Sequence, residues 1–147
     1  MGKKSTNEGK AFELDVKQSC INDGLFYLRL NDTSIPFQNG GARFAAENPC
    51  DCLVFDKPNL FAIECKSTKY KSISFDREEG DKNMIKLHQI NSLIKFSETE
   101  GIFAGFLLNF RNEEIRSEGM TYWMDIRDFS NFYTSTDKSS INRLDVV

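Results

Sequence analysis

Apolar residues recur along this chain with two different periods, and the switches between them set out its elements. From Thr6 to Asn22, Phe12, Val16 and Cys20 repeat at helical spacing; Thr6 or Asn7 can cap the segment and Gly24 can close it. Leu25–Leu30 (LFYLRL) has β character. Asn31–Asn48 is rich in turn formers, with Pro36 and Gly40-Gly41, and predicts a loop or a short protruding hairpin. Two β-runs, Asp51–Asp56 and Leu60–Lys66, flank the turn Lys57-Pro58-Asn59 and predict a second hairpin. After a polar stretch, periodicity predicts a helix from about Asn83 to Glu98, ended by Gly101. Ile102–Phe110 is almost continuously apolar, as a central strand is. Met120–Ile126 predicts a further strand and Arg127–Tyr133 a short helix. From Thr134 the chain is polar apart from Ile141, Leu144 and Val146, which predicts a loosely packed tail.

The resulting order, α-β-β-β-α-β-β-α, predicts an α/β or α+β domain: a mixed central β-sheet flanked by helices. At 147 residues, with 39% hydrophobic and 28% charged, the chain suits one globular domain with a single core. Its longest apolar run, Ile102–Leu108, is too short for a bilayer span, and the first residues lack the apolar stretch of a leader. A soluble, cytoplasmic protein with no membrane association is expected. Nineteen basic against 22 acidic residues give a formal charge of −3. That argues against bulk coating of nucleic acid but leaves room for a local basic groove. Residues 1–8 read as a flexible arm carrying Lys3 and Lys4.

Several chemistries fall away. The chain has no glycine-rich dinucleotide or phosphate loop, no H-E-x-x-H and no G-x-S-x-G, and the lone His88 argues against a triad. Cys50, Cys52 and Cys65 suggest zinc, but the spacing is not that of paired C-x2-C knuckles. Reduced thiols packed as small hydrophobes are the preferred reading, with Cys20 the fourth.

Strand alternation locates a different site. Ala62, Glu64 and Lys66 share one face of their strand. With the turn at Lys57–Asn59, Asp51 falls level with Glu64 and Lys66. Two carboxylates and an ammonium on a rigid hairpin suit metal-assisted phosphodiester hydrolysis. A cross-strand ion pair at a sheet edge would use the same residues. On the first helix Glu13 projects toward the apolar stripe, to be satisfied by a metal or by Lys17 one turn on. On the second long helix Gln89 falls inside the apolar arc, where a buried amide needs a hydrogen-bond partner. A backbone carbonyl would serve as well as a site residue. His88 lies outside that arc.

In order and spacing, these residues resemble the PD-(D/E)XK nuclease superfamily and, within it, the RecU-type Holliday junction resolvases. Gly9-Lys10-Ala11-Phe12-Glu13 looks like that family's G-x-x-L/F-E helix start. Ala42-Arg43-Phe44 onward to Asp51 resembles its approach to the catalytic strand. Glu64-Cys65-Lys66-Ser67-Thr68 with Ser72-Ile73-Ser74-Phe75 resembles its E-x-K-x-T and S-F. His88-Gln89 and Gly101–Phe110 resemble its H-Q helix and following strand. The likeness spans roughly Gly9 to Phe132. Proline does not directly precede Asp51: Pro49 lies one position earlier and Cys50 intervenes.

The resemblance implies a restriction-endonuclease-like core and a homodimer that resolves branched, four-way DNA with Mg²⁺ or Mn²⁺, in company with recombination proteins. It implies that Asp51, Glu64 and the backbone carbonyl of Cys65 hold the metal. Lys66 would serve the attacking water, Glu13 would complete the acidic site, and Gln89 would support it. The family's stalk corresponds to residues 31–48, short here, where Phe37, Arg43 and Phe44 would face DNA. The expected phosphate contacts are Lys3, Lys4, Lys10, Arg43, Lys69, Lys71 and Arg77.

Overall fold

The computed structural model describes residues 7–31, 33–35, 44–46, 48–111 and 120–146. Helix α1 (Glu8–Asn22) starts at Asn7, whose side chain accepts the Lys10 N–H, and carries Glu8 in its first turn. Gly24, at φ 71°, lets the chain turn back so that the Leu25 N–H reaches the Cys20 carbonyl. Strand β1 (Phe26–Arg29) follows. The turn-rich segment holds an antiparallel pair, β2 (Thr33–Ile35) and β3 (Phe44–Ala46). The second hairpin is β4 (Cys52–Asp56) and the ten-residue β5 (Asn59–Thr68), reversing at Lys57-Pro58.

A crossover then carries β6 (Ser72–Ser74) and α2 (Leu87–Ser97) before β7 (Ile102–Phe110) returns parallel to β5. Strand β8 (Met120–Asp125) leads into α3 (Ile126–Ser135), whose cap is Asp125 accepting the Arg127 N–H. The chain ends in β9 (Ser140–Asn142) and a 3₁₀ turn, Arg143–Asp145.

The central sheet runs β1-β4-β5-β7-β8, with only the β5–β7 pair parallel. Alternation along it feeds two apolar layers. Phe12, Val16 and Cys20 of α1 meet Cys52, Val54, Ile63, Cys65 and Leu107 on one face. On the other, Ala62, Ala104, Phe106, Leu108 and Phe110 pack with Ile90 and Leu93 of α2 and Phe129 of α3. This is the expected mixed sheet with helices on both faces.

Two expectations need correction. The predicted helix start near Asn83 moves to Leu87, because the backbone before it is occupied in extended pairing: the Ile85 N–H donates to Ser74 and the Asp76 N–H to Ile85. The buried carboxylate of Asp76 then takes the N–H groups of Asn83 and Leu87. The tail is not loose. Ile141 of β9 sits opposite Ile73 of β6, and both are fully buried.

Gly105 lies where β7 meets β8. A Cβ there would stand 2.3 Å from the Met124 carbonyl oxygen and 2.9 Å from the Trp123 ring. Backbone does not yield cheaply, so Gly105→Ala is expected to destabilise the fold by about 3 kcal/mol, as overpacking does. Urea denaturation would measure it; a loss below about 0.5 kcal/mol would mean the two strands separate freely.

Candidate functional site

Asp51 sits just before β4, and the β4–β5 register that pairs Cys52 with Ile63 sets it beside Glu64. The Asp51 N–H donates to the Ile63 carbonyl, and its Oδ2 accepts the Cys65 N–H at 2.8 Å. Both carboxylates thus stand at the end of one antiparallel ladder, on the α2 side of the sheet.

Glu64 is 4% exposed, an unusual place for a carboxylate. Two groups hold its Oε1: Lys66 Nζ at 3.3 Å and Gln89 Nε2, donating at 2.7 Å. Gln89 is itself fixed, since its Oε1 accepts the Lys86 N–H at the start of α2. The amide therefore clamps the first turn of α2 to Glu64, and its place inside the apolar arc is explained by that partner.

Burial pushes the Glu64 carboxyl up to about 7, and the Asp51 charge adds to the rise against the opposing pull of Lys66. Asp51 is also raised by burial, held back by the Cys65 N–H, Lys66 and Arg29. Glu64 is buried, Asp51 stands half-buried beside it, and every donor they offer is an oxygen. That set fits a hard divalent ion.

Beside the acids lies a polar cavity of about 500 Å³, lined by Lys10, Arg29, Asn31, Asn48, Asp51, Glu64, His88 and Gln89, with Leu30 and Cys50. Glu13 is not part of this lining. Its Oε2 pairs with Arg29 Nη2 at 2.8 Å. Its carboxyl is raised by burial and then by Asp51, so it lies within electrostatic reach of the site without joining the pair.

The structure thus brings Asp51, Glu64, Lys66 and Gln89 together, and sets Glu13 one ion pair away. Arg29, Asn31 and Asn48 escaped the sequence analysis. The signal for Arg29 was present: it closes a β-run that pairs with the strand entered from Asp51.

The cysteines divide between the two layers, Cys50 with the α2 side and Cys52 and Cys65 beneath α1, so these three thiols do not converge on one ion. Among the expected DNA contacts, Lys10 lines the cavity, while Lys69 and Lys71 are exposed beyond the end of β5, Lys69 lying over the Tyr70 ring. Lys3, Lys4, Phe37 and Arg43 fall outside the described residues, as does the Phe44 side chain. Arg77 is corrected. Its guanidinium donates to the carbonyls of Tyr133, Thr136 and Lys138 and lies over the Tyr133 ring, which ties the crossover to the end of α3.

No protein-family model matches the chain. It is 35% identical over 134 residues, 91% of its length, to the SPbeta prophage-derived uncharacterized protein YotM of Bacillus subtilis (strain 168). It spans 64% of that protein's length. Among solved structures it is similar to Hjc, a Holliday junction resolvase from the archaeal hyperthermophile Archaeoglobus fulgidus, with a TM-score of 0.61 at 16% identity. The match covers 94% of this chain and 91% of Hjc. The chain therefore has the fold of that resolvase, the restriction-endonuclease-like core expected from its sequence.

Proposed function

We propose that this protein is a metal-dependent endodeoxyribonuclease of the Holliday junction resolvase kind, cutting branched DNA as a homodimer. The observation that carries this reading is that Asp51 and Glu64 line one polar cavity, with Lys66 Nζ 3.3 Å from Glu64, on the fold of a resolvase. Asp51 and Glu64 would hold Mg²⁺ or Mn²⁺, with the Cys65 carbonyl as the further ligand that the resemblance implies. The ion, when bound, neutralises phosphate charge and acidifies water.

The chain's own residues supply the rest. Lys66 projects from the same face of β5 as Glu64 and is placed to orient the attacking water or to face the charge that develops on the phosphate. Gln89 holds the Glu64 carboxylate in one orientation, so the site is built before DNA arrives. The antiparallel pair β2 and β3 lies in the chain between Arg29 and Asp51, both of which line the cavity. This is the place of the stalk in the resolvases that the sequence resembles, and that correspondence supports branched DNA as the substrate. A two-fold protein would place two such sites for paired cuts. The RecU-type motif order supports the same assignment.

The test is cleavage of a synthetic mobile four-way junction with Mg²⁺ or Mn²⁺, against EDTA and against linear duplex. Paired nicks in the junction alone are expected. Duplex cut as readily as the junction would keep the nuclease and remove the resolvase. No cutting with either metal, together with tight junction binding, would leave a DNA-binding module on a nuclease fold.

A further inference from the structure

The α1 layer that holds Glu13 and the face of β5 that carries Glu64 lie on opposite sides of the central sheet. Arg29 shares its face of β1 with Tyr27, which packs with Phe12 and Val54 in the layer beneath α1. Glu64 shares its face of β5 with Ala62, which packs in the layer beneath α2 and α3. Among the described residues, no three His, Cys, Asp or Glu side chains group closely enough to hold one metal ion. Glu13 instead pairs with the guanidinium of Arg29, and Arg29 is one of the residues that line the cavity.

Arg29 is also held by backbone. It pairs with Cys52 across the ladder, and the next N–H, of Leu30, donates to the Asp51 carbonyl at 2.9 Å. Its Cα is therefore fixed one step from Asp51, while its side chain is 46% exposed. A guanidinium is a planar fork of five donors, able to bind one oxyanion along one edge and a second along another. A strand of DNA entering this cavity meets two carboxylates, and a fixed cation at the rim offsets their repulsion.

We propose that Glu13 is the positioning residue of Arg29 rather than a metal ligand, and that Arg29 bridges Glu13 to a backbone phosphate of the DNA strand in the cavity. This rests on the nuclease reading. Glu13 sets the plane of the fork, so that the free edge faces the phosphate next to the acids. Lysine carries the same charge but no second edge, and cannot make the bridge.

The test uses the full chain as wild type, Glu13→Gln, Arg29→Ala, Arg29→Lys and the Glu13→Gln/Arg29→Ala double variant, each checked by thermal melting. Mn²⁺ binding without DNA is followed by electron paramagnetic resonance. Binding of a fluorescent four-way junction is followed in EDTA over a range of salt, and cleavage under single-turnover conditions. Glu13→Gln is expected to keep Mn²⁺ affinity within about threefold, where loss of a true ligand costs about tenfold or more. Arg29→Ala should weaken junction binding about tenfold and lower the log–log salt slope by about one. Arg29→Lys should keep the slope and lose cleavage. Adding Glu13→Gln to Arg29→Ala should cost no further rate, because the two act as one unit.

A tenfold fall in Mn²⁺ affinity in Glu13→Gln would overturn the proposal, and so would unchanged binding and slope in Arg29→Ala. Either result in a chain that still cuts DNA leaves the nuclease reading standing. A wild type that binds neither Mn²⁺ nor DNA removes both.

Discussion

Asp51→Asn is expected to lower metal-dependent cleavage about a thousandfold while leaving the fold and metal-free DNA binding in place. A bound cation contributes several kcal/mol of charge stabilisation in the transition state, and losing about 4 kcal/mol is roughly a factor of a thousand in rate. Asparagine is the informative replacement. Its amide oxygen can still accept the Cys65 N–H that Asp51 Oδ2 takes at 2.8 Å, so the end of the β4–β5 ladder keeps its geometry. What goes is the negative charge. Single-turnover cleavage at saturating Mg²⁺, with circular dichroism and junction binding in EDTA alongside, would check it. A variant that keeps more than about a tenth of the wild-type rate would take Asp51 out of the chemistry.

The second large effect is on stability. The carboxyl of Glu64 is raised from 4.5 to about 7, chiefly by burial and then by Asp51. A raised acid is favoured in its protonated form by the folded state. Its contribution is fully present below the unfolded value near 4.5 and is lost as pH rises through about 7. Glu64→Gln should abolish that dependence. The amide is neutral at all pH values and can still accept from Gln89 Nε2.

Metal-free Glu64→Gln is therefore expected to match wild type near pH 4 and to exceed it at pH 8 by up to about 3 kcal/mol, the free-energy equivalent of the shift. For a chain of this size that is roughly 6–12 °C in melting temperature. Mg²⁺ should raise the melting temperature of wild type at pH 8 by relieving the same repulsion, and should do less for the variant. Superimposable melting curves across this pH range would show that Glu64 ionises freely, and the account of the site as two strained acids would fail. Cleavage should rise with pH through about 7, because the proton competes with the cation for the same oxygens.

The parts of the site that lie on one hairpin were legible from the sequence. The turn at Lys57-Pro58 and the period of β4 and β5 determine the register, and the register puts Asp51 level with Glu64 and Lys66. Strand β7 was equally plain, because a strand covered on both faces reads as one apolar run. Gln89 stood out as an amide in an apolar arc. Its partner did not, because that contact joins residues 25 positions apart.

What the sequence hid has physical causes. Strands β6 and β9 are three residues each, too short for any period, and only their pairing buries Ile73 and Ile141. Arg77 looked like one more surface cation; nothing local announces three carbonyl acceptors more than 50 residues away. Glu13 was rightly placed on the inner side of α1. Its partner Arg29 came from a different element, and helical periodicity says nothing about that.

The parallel pairing of β5 with β7 also has a meaning in time. Asp51 and Glu64 are synthesised together, but the chain that seals them comes later: Gln89 on α2, then Phe106 of β7, which lies beside Glu64 in the sheet. Until that crossover of 33 residues closes, from Lys69 to Gly101, the two acids remain in water with ordinary affinities for protons. A chain still short of β7 thus lacks the residues that enclose Glu64, and the site that the proposed function requires is complete only once β7 has docked. Closure of the longest connection in the sheet is what encloses Glu64.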